Sequence, residues 1–354
     1  VSGAPPRRVL VVDDSAVVRE VLSAVLRRGG HLVATAPDPV IALEKIRRDP
    51  PDAILLDVEL PRMDGLSFLR LLMAERPLPV VICSGLAGPG TEVALDALEA
   101  GAVAVIEKPS LGLRDFLERS ADRVLSAVSE ALEARVRARP PPAAGAPEPR
   151  GAPLLRGTTQ KVVAVAASTG GTEAVAALLE ALPPDAPGLA VVQHMPPAFT
   201  AAFARRLAER CRVEVKEAEP GDALSPGRAL IAPGNRHLLV RRGGARYFVA
   251  LSDGAPVSRH RPSADVLFRS TAEAAGANAV GVILTGMGDD GAEGLLALRG
   301  AGAHTIAQDE ATCVVFGMPR AAIRRGAAAE ILPLGLIARH VLAHARAPGA
   351  EQRS

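Results

Sequence analysis

The sequence predicts an α/β protein of two domains, each built on an open and mainly parallel sheet. Three observations carry this. The chain has 354 residues, more than twice the roughly 150 of a typical single domain. A stretch without hydrophobic periodicity, Pro140-Pro141-Pro142-Ala143-Ala144-Gly145-Ala146-Pro147-Glu148-Pro149, divides it. On both sides of that stretch, short β-branched runs alternate with amphipathic helical segments, the pattern of parallel strands joined by crossover helices.

In the first half the strands are Val9–Val12, His31–Ala36, Ala53–Leu56, Pro79–Cys83 and Ala102–Ile106, each followed by a helix. After Ser15 the apolar residues Val17, Val18, Val21, Leu22, Val25 and Leu26 recur at helical spacing, with Ser15 as N-cap and Gly29-Gly30 as the stop. A last helix carries Phe116, Leu117, Val124, Leu125, Val128 and Leu132 and is expected to run from Arg114 to about Arg139. Proline and alanine then give an extended hinge over 138–158. The resulting boundaries are a first domain over 1–125, a helix end and linker over 126–158, and a second domain over 159–347.

The second half repeats the grammar. Lys161–Ala167 is a strand, Ser168-Thr169-Gly170-Gly171 a turn and Thr172–Leu182 a helix. Leu189–Gln193 and Ala279–Thr285 are further buried strands, the latter leading through Gly286–Gly291 into a helix over Ala292–Leu298. Ala229–Ala232, His237–Val240 and Tyr247–Leu251, separated by Gly234-Asn235 and Gly243-Gly244, read as a short antiparallel excursion from a doubly wound sheet.

Composition narrows the function. Hydrophobic residues make up 48% and charged residues 23%, which suits compact folding. A net charge of +2, no Trp, one Tyr and seven Phe leave little to hold or stack on a nucleic acid. Cys83, Cys211 and Cys313 are far apart and suggest neither a zinc cluster nor a disulfide framework, as in a reducing cytosol. The segment after Pro5-Pro6-Arg7-Arg8 reaches Asp13 too soon to hold a signal sequence, and no apolar run approaches the ~20 residues that span a bilayer. The expectation is a cytoplasmic protein without membrane insertion.

Functional groups of open parallel sheets gather beyond the carboxyl ends of the strands. In the first domain these are Asp13 and Asp14, Asp57, Ser84 and Lys108. Converging carboxylates repel unless a cation sits among them, and an all-oxygen set suits Mg²⁺. A carboxylate there can attack phosphorus while a metal and a lysine neutralise the added charge. Taken singly, Asp14 and Asp57 would be loop caps and Lys108 a solvated cation.

At Val11-Val12-Asp13-Asp14-Ser15, Leu55-Leu56-Asp57, Pro61, Met63-Asp64-Gly65, Ser84 and Lys108-Pro109, this half resembles the flavodoxin-like (βα)5 receiver domains of two-component response regulators. The resemblance implies that Asp57 is the phosphoacceptor, that Asp13, Asp14 and Asp57 hold Mg²⁺, and that Ser84 and Lys108 contact the phosphoryl group. Val105 stands where such domains usually carry an aromatic switch residue.

In the second domain Ser168 lies between a strand and a helix, but Ala166 replaces the first glycine of the G-x-S-x-G elbow. His194 follows the Leu189–Gln193 strand and Asp290 lies beyond Ala279–Thr285. A serine needs a base, and an imidazole base needs a carboxylate to fix its tautomer. The competing readings are a structural histidine and a helix N-cap. Gly286-Met287-Gly288-Asp289-Asp290-Gly291 also matches G-x-G-x-x-G, with Asp309 downstream, which admits an NAD-dependent oxidoreductase. Against it, Asp289 and Asp290 would face a pyrophosphate at a helix N-terminus. His260, between Arg259 and Arg261, reads as a loop-holding residue in preference to a groove-lining one. Cys313 and Met318 read as packing.

Ala167-Ser168-Thr169-Gly170-Gly171, Gln193-His194-Met195-Pro196-Pro197, Ile231-Ala232-Pro233-Gly234, Arg259-His260-Arg261-Pro262-Ser263, Leu284-Thr285-Gly286-Met287-Gly288, Asp290-Gly291, Gln308 and Cys313–Pro319 resemble the catalytic domain of chemotaxis protein-glutamate methylesterases, the CheB family. The resemblance implies a Ser168–His194–Asp290 triad, hydrolysis of glutamate methyl esters on chemoreceptor cytoplasmic helices with release of methanol, and deamidation of receptor glutamines. It implies a chemotaxis histidine kinase as phosphodonor, and an unphosphorylated receiver that covers the hydrolase cleft. The tetrahedral oxyanion needs donors, for which the backbone N–H groups of Thr169 and Met287 are candidates. Hydrolysis itself needs no cofactor. The other readings are a non-catalytic receptor-binding regulator and a transcription factor, the second opposed by the lack of a helix-turn-helix pattern and of a basic surface.

Overall fold

The computed structural model describes residues 6–60, 63–84, 89–108, 121–136 and 161–345. Pro61, Pro109 and the expected hinge over 138–158 lie outside them. By its internal contacts the chain divides into two units, Val1–Ala143 and Ala144–Ser354.

In the first unit, β1 (Arg8–Val12), β2 (Leu32–Ala36), β3 (Ala53–Asp57), β4 (Val80–Ser84) and β5 (Ala104–Glu107) form a five-stranded sheet in the order β2-β1-β3-β4-β5. All its pairings are parallel. Continuous apolar runs such as Val9–Val12 and Ala53–Leu56 are buried throughout, as a sheet covered on both faces requires. The helices are α1 (Ala16–Arg28), α2 (Pro39–Arg48), α3 (Gly65–Glu75), α4 (Pro89–Glu99) and α5 (Ala121–Glu133). Ser15 caps α1 by accepting from Val18 N, as its sequence predicts. Val124, Ala127, Val128 and Ala131 of α5 pack into the core formed by α1 and the sheet.

That last helix stops at Glu133, short of the expected Arg139. Beyond Leu132 the sequence alternates small or apolar residues with Arg135, Arg137 and Arg139, so the helical period is lost although Ala134 and Val136 still pack against the core.

In the second unit, β6 (Val162–Ala167), β7 (Gly188–Gln193), β8 (Glu214–Glu217), β9 (Arg228–Ile231), β12 (Ala279–Ile283), β13 (His304–Gln308) and β14 (Glu330–Leu332) form a parallel sheet in the order β14-β13-β12-β6-β7-β9-β8. β10 (His237–Gly243) and β11 (Arg246–Ser252) make a separate antiparallel pair. Of the three segments expected in that excursion, the first does not belong there: β9 pairs in parallel with β7 and β8. Ala229, Leu230 and Ile231 are all fully buried, the mark of a strand covered on both faces rather than of a hairpin arm. β8 and β14 were not legible, being short edge strands with at most two apolar residues each.

The helices of this unit are α6 (Gly171–Glu180), α7 (Pro197–Arg210), α8 (Ala264–Ala275), α9 (Ala292–Gly300), α10 (Met318–Arg324) and α11 (Leu334–Ala345). α6 packs with α7 and α11, while α9 packs with α8 and α10, the two helical layers of a doubly wound sheet. Chain order reverses between β6 and β12, and a crevice opens at the carboxyl ends of strands at such a switch point.

Candidate functional site

The switch point holds Ser168, which follows β6. Its backbone is fixed on both sides: Ser168 N donates to Thr285 O at 3.0 Å, and its carbonyl accepts from Gly171 N at 2.7 Å and Gln193 Nε2 at 2.8 Å. Gly170 then takes a left-handed φ of 74° while lying against Val314, where a Cβ would come within 2.5 Å of the Val314 Cβ. Glycine answers both demands. Gly286 is equally constrained, since a Cβ there would come within 2.7 Å of the Ser168 Cβ. The Gly286 turn is therefore part of the wall around the serine.

His194 follows β7. The paired register ends at Ala167 with Gln193, and His194 N donates to Ala167 O at 3.0 Å, extending the ladder by one step. Ser168 and His194 thus occupy matching next positions on neighbouring strands, which in a sheet stand about 4.8 Å apart. His194 Nε2 donates to Asp290 Oδ2 at 2.8 Å. Its Nδ1 is buried without a hydrogen-bond partner. A buried, unpaired ring nitrogen costs desolvation free energy, and a substrate-activated hydroxyl would relieve it.

Asp290 is 1% exposed. Besides His194, it accepts from Ser263 Oγ at 2.7 Å, Ala264 N at 2.7 Å and Asp265 N at 3.1 Å. It therefore caps α8, not the helix α9 that follows it in sequence, so the cap and the catalytic orientation are two uses of one carboxylate. Burial alone would raise its pKa, but the bonds from His194, Ser263 and Ala264 outweigh it and hold the carboxyl below its usual range.

His260 departs from the loop-only expectation. Its ring stacks on that of His194, with centroids 3.9 Å apart and planes 5° from parallel. It also closes the tight turn 257–260 through two backbone bonds with Val257, and Ser258 and Arg259 hold positive φ to make that turn. Sequence spacing gives no sign of a contact across 66 residues. Burial, then the neighbouring His194, push the His260 imidazole down to about 4. The sign of the consequence follows. Below the unfolded value of about 6.5 the unfolded chain binds a proton that the folded one refuses, so stability falls as pH drops from about 6.5 towards 4. His260→Gln is expected to remove this loss. Urea unfolding at about pH 7 and about pH 5 should show a smaller decrease in the variant than in the wild type, and equal decreases would refute the assignment.

Around the G-x-G-x-x-G turn the geometry does not follow a dinucleotide site. Gly286 packs on Ser168, its carbonyl accepts from Gly317 N at 3.0 Å and Met318 N at 2.8 Å, and Asp309 caps its own turn at Thr312. Cys313 and Met318 are buried packing residues, as expected.

In the first unit, Asp13, Asp14 and Asp57 offer carboxylate oxygens that all lie within 4.8 Å of one another. Lys108 Nζ donates to Asp57 Oδ2 at 2.7 Å and lies 3.2 Å from Asp13 Oδ2. Asp57 Oδ1 accepts from Glu59 N at 3.1 Å, and Lys108 N donates to Ser84 O at 2.9 Å, so all five expected residues meet at one sheet edge. Asp13 Oδ2 is buried without a well-formed hydrogen bond. Burial raises the Asp13 carboxyl, Lys108 counteracts it and Asp57 adds to the rise. Burial opposes the Lys108 ammonium, yet Asp57 and Asp13 more than offset that and hold its charge. A buried carboxylate oxygen that lacks a well-formed hydrogen bond, in an all-oxygen cluster, fits a hard divalent cation.

Comparison with known proteins gives a family for each domain. The family model described as CheB methylesterase matches residues 163–341, and that described as Response regulator receiver domain matches 9–119. The chain is 62% identical over 348 residues to protein-glutamate methylesterase/protein-glutamine glutaminase 1 of Anaeromyxobacter dehalogenans, covering 96% of this chain and 99% of that one. It is 56% identical to protein-glutamate methylesterase/protein-glutamine glutaminase 2 of Xanthomonas campestris, covering 94% and 99%. The crystal structure of the Thermotoga maritima CheB methylesterase catalytic domain superposes with a TM-score of 0.51 at 37% identity, covering 52% of this chain and 99% of that one.

Proposed function

Since the chain belongs to the CheB methylesterase family and carries a response regulator receiver domain ahead of the esterase, we propose that it is a phosphorylation-activated serine hydrolase. It removes methyl esters from glutamate side chains of chemoreceptors and deamidates receptor glutamines. Ser168 Oγ attacks the ester carbonyl and its proton passes to His194. Asp290 holds Nε2–H, so Nδ1 is the base. The tetrahedral oxyanion is met by backbone N–H groups of Thr169 and Met287. Gly286 O is engaged by Gly317 and Met318, and a trans peptide points its N–H the opposite way, so Met287 N–H is directed away from that contact. His194 returns the proton to the leaving methoxide as methanol departs, then draws one from the water that frees the glutamate. With an amide, ammonia leaves by the same route.

In the receiver, Asp57 takes the phosphoryl group from a chemotaxis histidine kinase, and Ser84 and Lys108 contact the transferred group. Asp13, Asp14 and Asp57 would hold Mg²⁺, which supplies neutralisation of phosphoryl charge. The domains are a receiver over 1–125, a helix end and linker over 126–158, and an esterase over 159–347. No described helix is long and apolar enough to cross a membrane, and the substrate helices and phosphodonor place the work in the cytoplasm.

The observation that carries the hydrolase reading is the imidazole of His194, held at one nitrogen by Asp290 and unpaired at the other beside the strand that leads into Ser168. The test is methanol release from methylated receptor helices, with and without a small phosphodonor. Release that rises with the donor is expected, and no release in either arm would overturn the reading.

A further inference from the structure

A second group of imidazoles lies at the other end of the C-terminal sheet. His304 opens β13 and Glu330 opens β14, whereas Ser168 lies beyond the far end of β6 in the same parallel sheet. The register pairs Ile306 with Glu330, so Glu330 shares the sheet face of His304. α11 presents His340 and His344, four residues apart and hence on one side of the helix. His304 Nε2 and His344 Nε2 each lie 3.0 Å from Glu330 Oε1, and His340 Nδ1 lies 2.6 Å from Glu330 Oε2. Three imidazoles thus surround one carboxylate.

We propose that His304, Glu330 and His344 bind one divalent transition-metal ion of the Zn²⁺ class, with His340 holding the outer carboxylate oxygen. Their donor atoms all lie within 4.8 Å of one another. His304 Nε2 is a buried nitrogen without a hydrogen-bond partner although Glu330 Oε1 lies 3.0 Å away, a defect that a cation within reach of its lone pair removes. Ligand bonds of about 2.1 Å in a tetrahedral shell put donors about 3.4 Å apart, near the spacing found. Imidazole nitrogen with one carboxylate selects Zn²⁺, Co²⁺, Ni²⁺ or Cu²⁺ over Mg²⁺ or Ca²⁺. A hydrogen bond to the ligating carboxylate is the usual outer-shell support of such a site, and His340 Nδ1, 2.6 Å from Glu330 Oε2, stands where it would supply one.

One rearrangement is built into the proposal. The rings of His304 and His344 are stacked, 3.4 Å between centroids and 13° from parallel, so one ion cannot lie in both ring planes. His344, with its side chain 37% exposed, turns out of the stack to direct its lone pair at the ion. His304, 21% exposed on its strand, stays. Bound metal would then tie edge strand β14 and α11 to β13.

The test uses the full chain, stripped by a chelator and kept in excess Mg²⁺ so that the acidic receiver pocket holds its hard ion. Calorimetric titration with Zn²⁺ is expected to show one site per chain that weakens at least about tenfold in His344→Ala and in Glu330→Gln, with His340→Ala weakening it by about tenfold through the outer shell. Visible absorption of Co²⁺ added in place of Zn²⁺ should report nitrogen coordination in the wild type and lose it in His344→Ala. Circular dichroism confirms that each variant is folded, and its methylesterase rate should match the wild type. Coincident Zn²⁺ titrations of wild type and His344→Ala, or a Co²⁺ spectrum indifferent to that substitution, would overturn the proposal without touching the hydrolase reading.

Discussion

Ser168→Ala lowers methanol release from methylated receptor helices by about 10⁴-fold or more, the loss that follows removal of a nucleophile acting as one unit with its base. The fold should not change. Alanine keeps the Cβ that packs against Gly286, and the bonds fixing residue 168 run through its backbone N–H and carbonyl. Asp290 is a less selective probe, because the same carboxylate caps α8 through Ala264 and Asp265, so its loss would lower stability along with rate. Single-turnover methanol release and thermal unfolding, measured together, separate the two effects. A Ser168→Ala protein that retains more than about a tenth of wild-type release would remove the serine from the mechanism. The scaffold alternative makes the opposite prediction in cells: receptor adaptation would survive Ser168→Ala.

How much of this was legible in the sequence depends on the range of the interaction involved. The proposed nucleophile, its base and the carboxylate that orients the base fall at carboxyl ends of buried strands, and both the strands and their turn residues are local signals, so the positions of Ser168, His194, Asp290 and the receiver set Asp13, Asp14, Asp57, Ser84 and Lys108 at those sheet edges are legible in the sequence. What was lost depends on pairing between distant segments. β9 looked like one arm of a hairpin because Gly234-Asn235 is a turn signal, and only the pairing with β7 reveals a central strand. β14 has too few residues to show a period. The His260 stack and the His304–Glu330–His344 group join residues from separate elements, and no spacing rule reports a contact made by packing. Even the choice of nitrogen on His194 came from geometry: Asp290 takes Nε2, the reverse of the common serine-protease arrangement.

Asp57→Asn is expected to abolish stimulation of methanol release by a phosphodonor while leaving the unstimulated rate as it is. The Asp57 side chain is fully buried, with Lys108 Nζ at 2.7 Å from one oxygen and Glu59 N at 3.1 Å from the other. Asparagine has nearly the same volume and keeps an acceptor for Glu59 N–H, so packing is preserved. Its amide oxygen is neutral and a poor nucleophile, and no acyl phosphate forms. The change also removes one charge that raises the Asp13 carboxyl, so Asp13 should ionise more readily and pair more fully with Lys108. Rates with and without donor, together with phosphoryl incorporation that is labile to acid, alkali and hydroxylamine as an acyl phosphate is, decide the matter. If the variant still responds to the donor and still carries label, the acceptor is another carboxylate of the cluster. Asp14, exposed where Asp13 and Asp57 are buried, is then the one to substitute next. If it responds without label, phosphorylation of the receiver is not what drives the esterase.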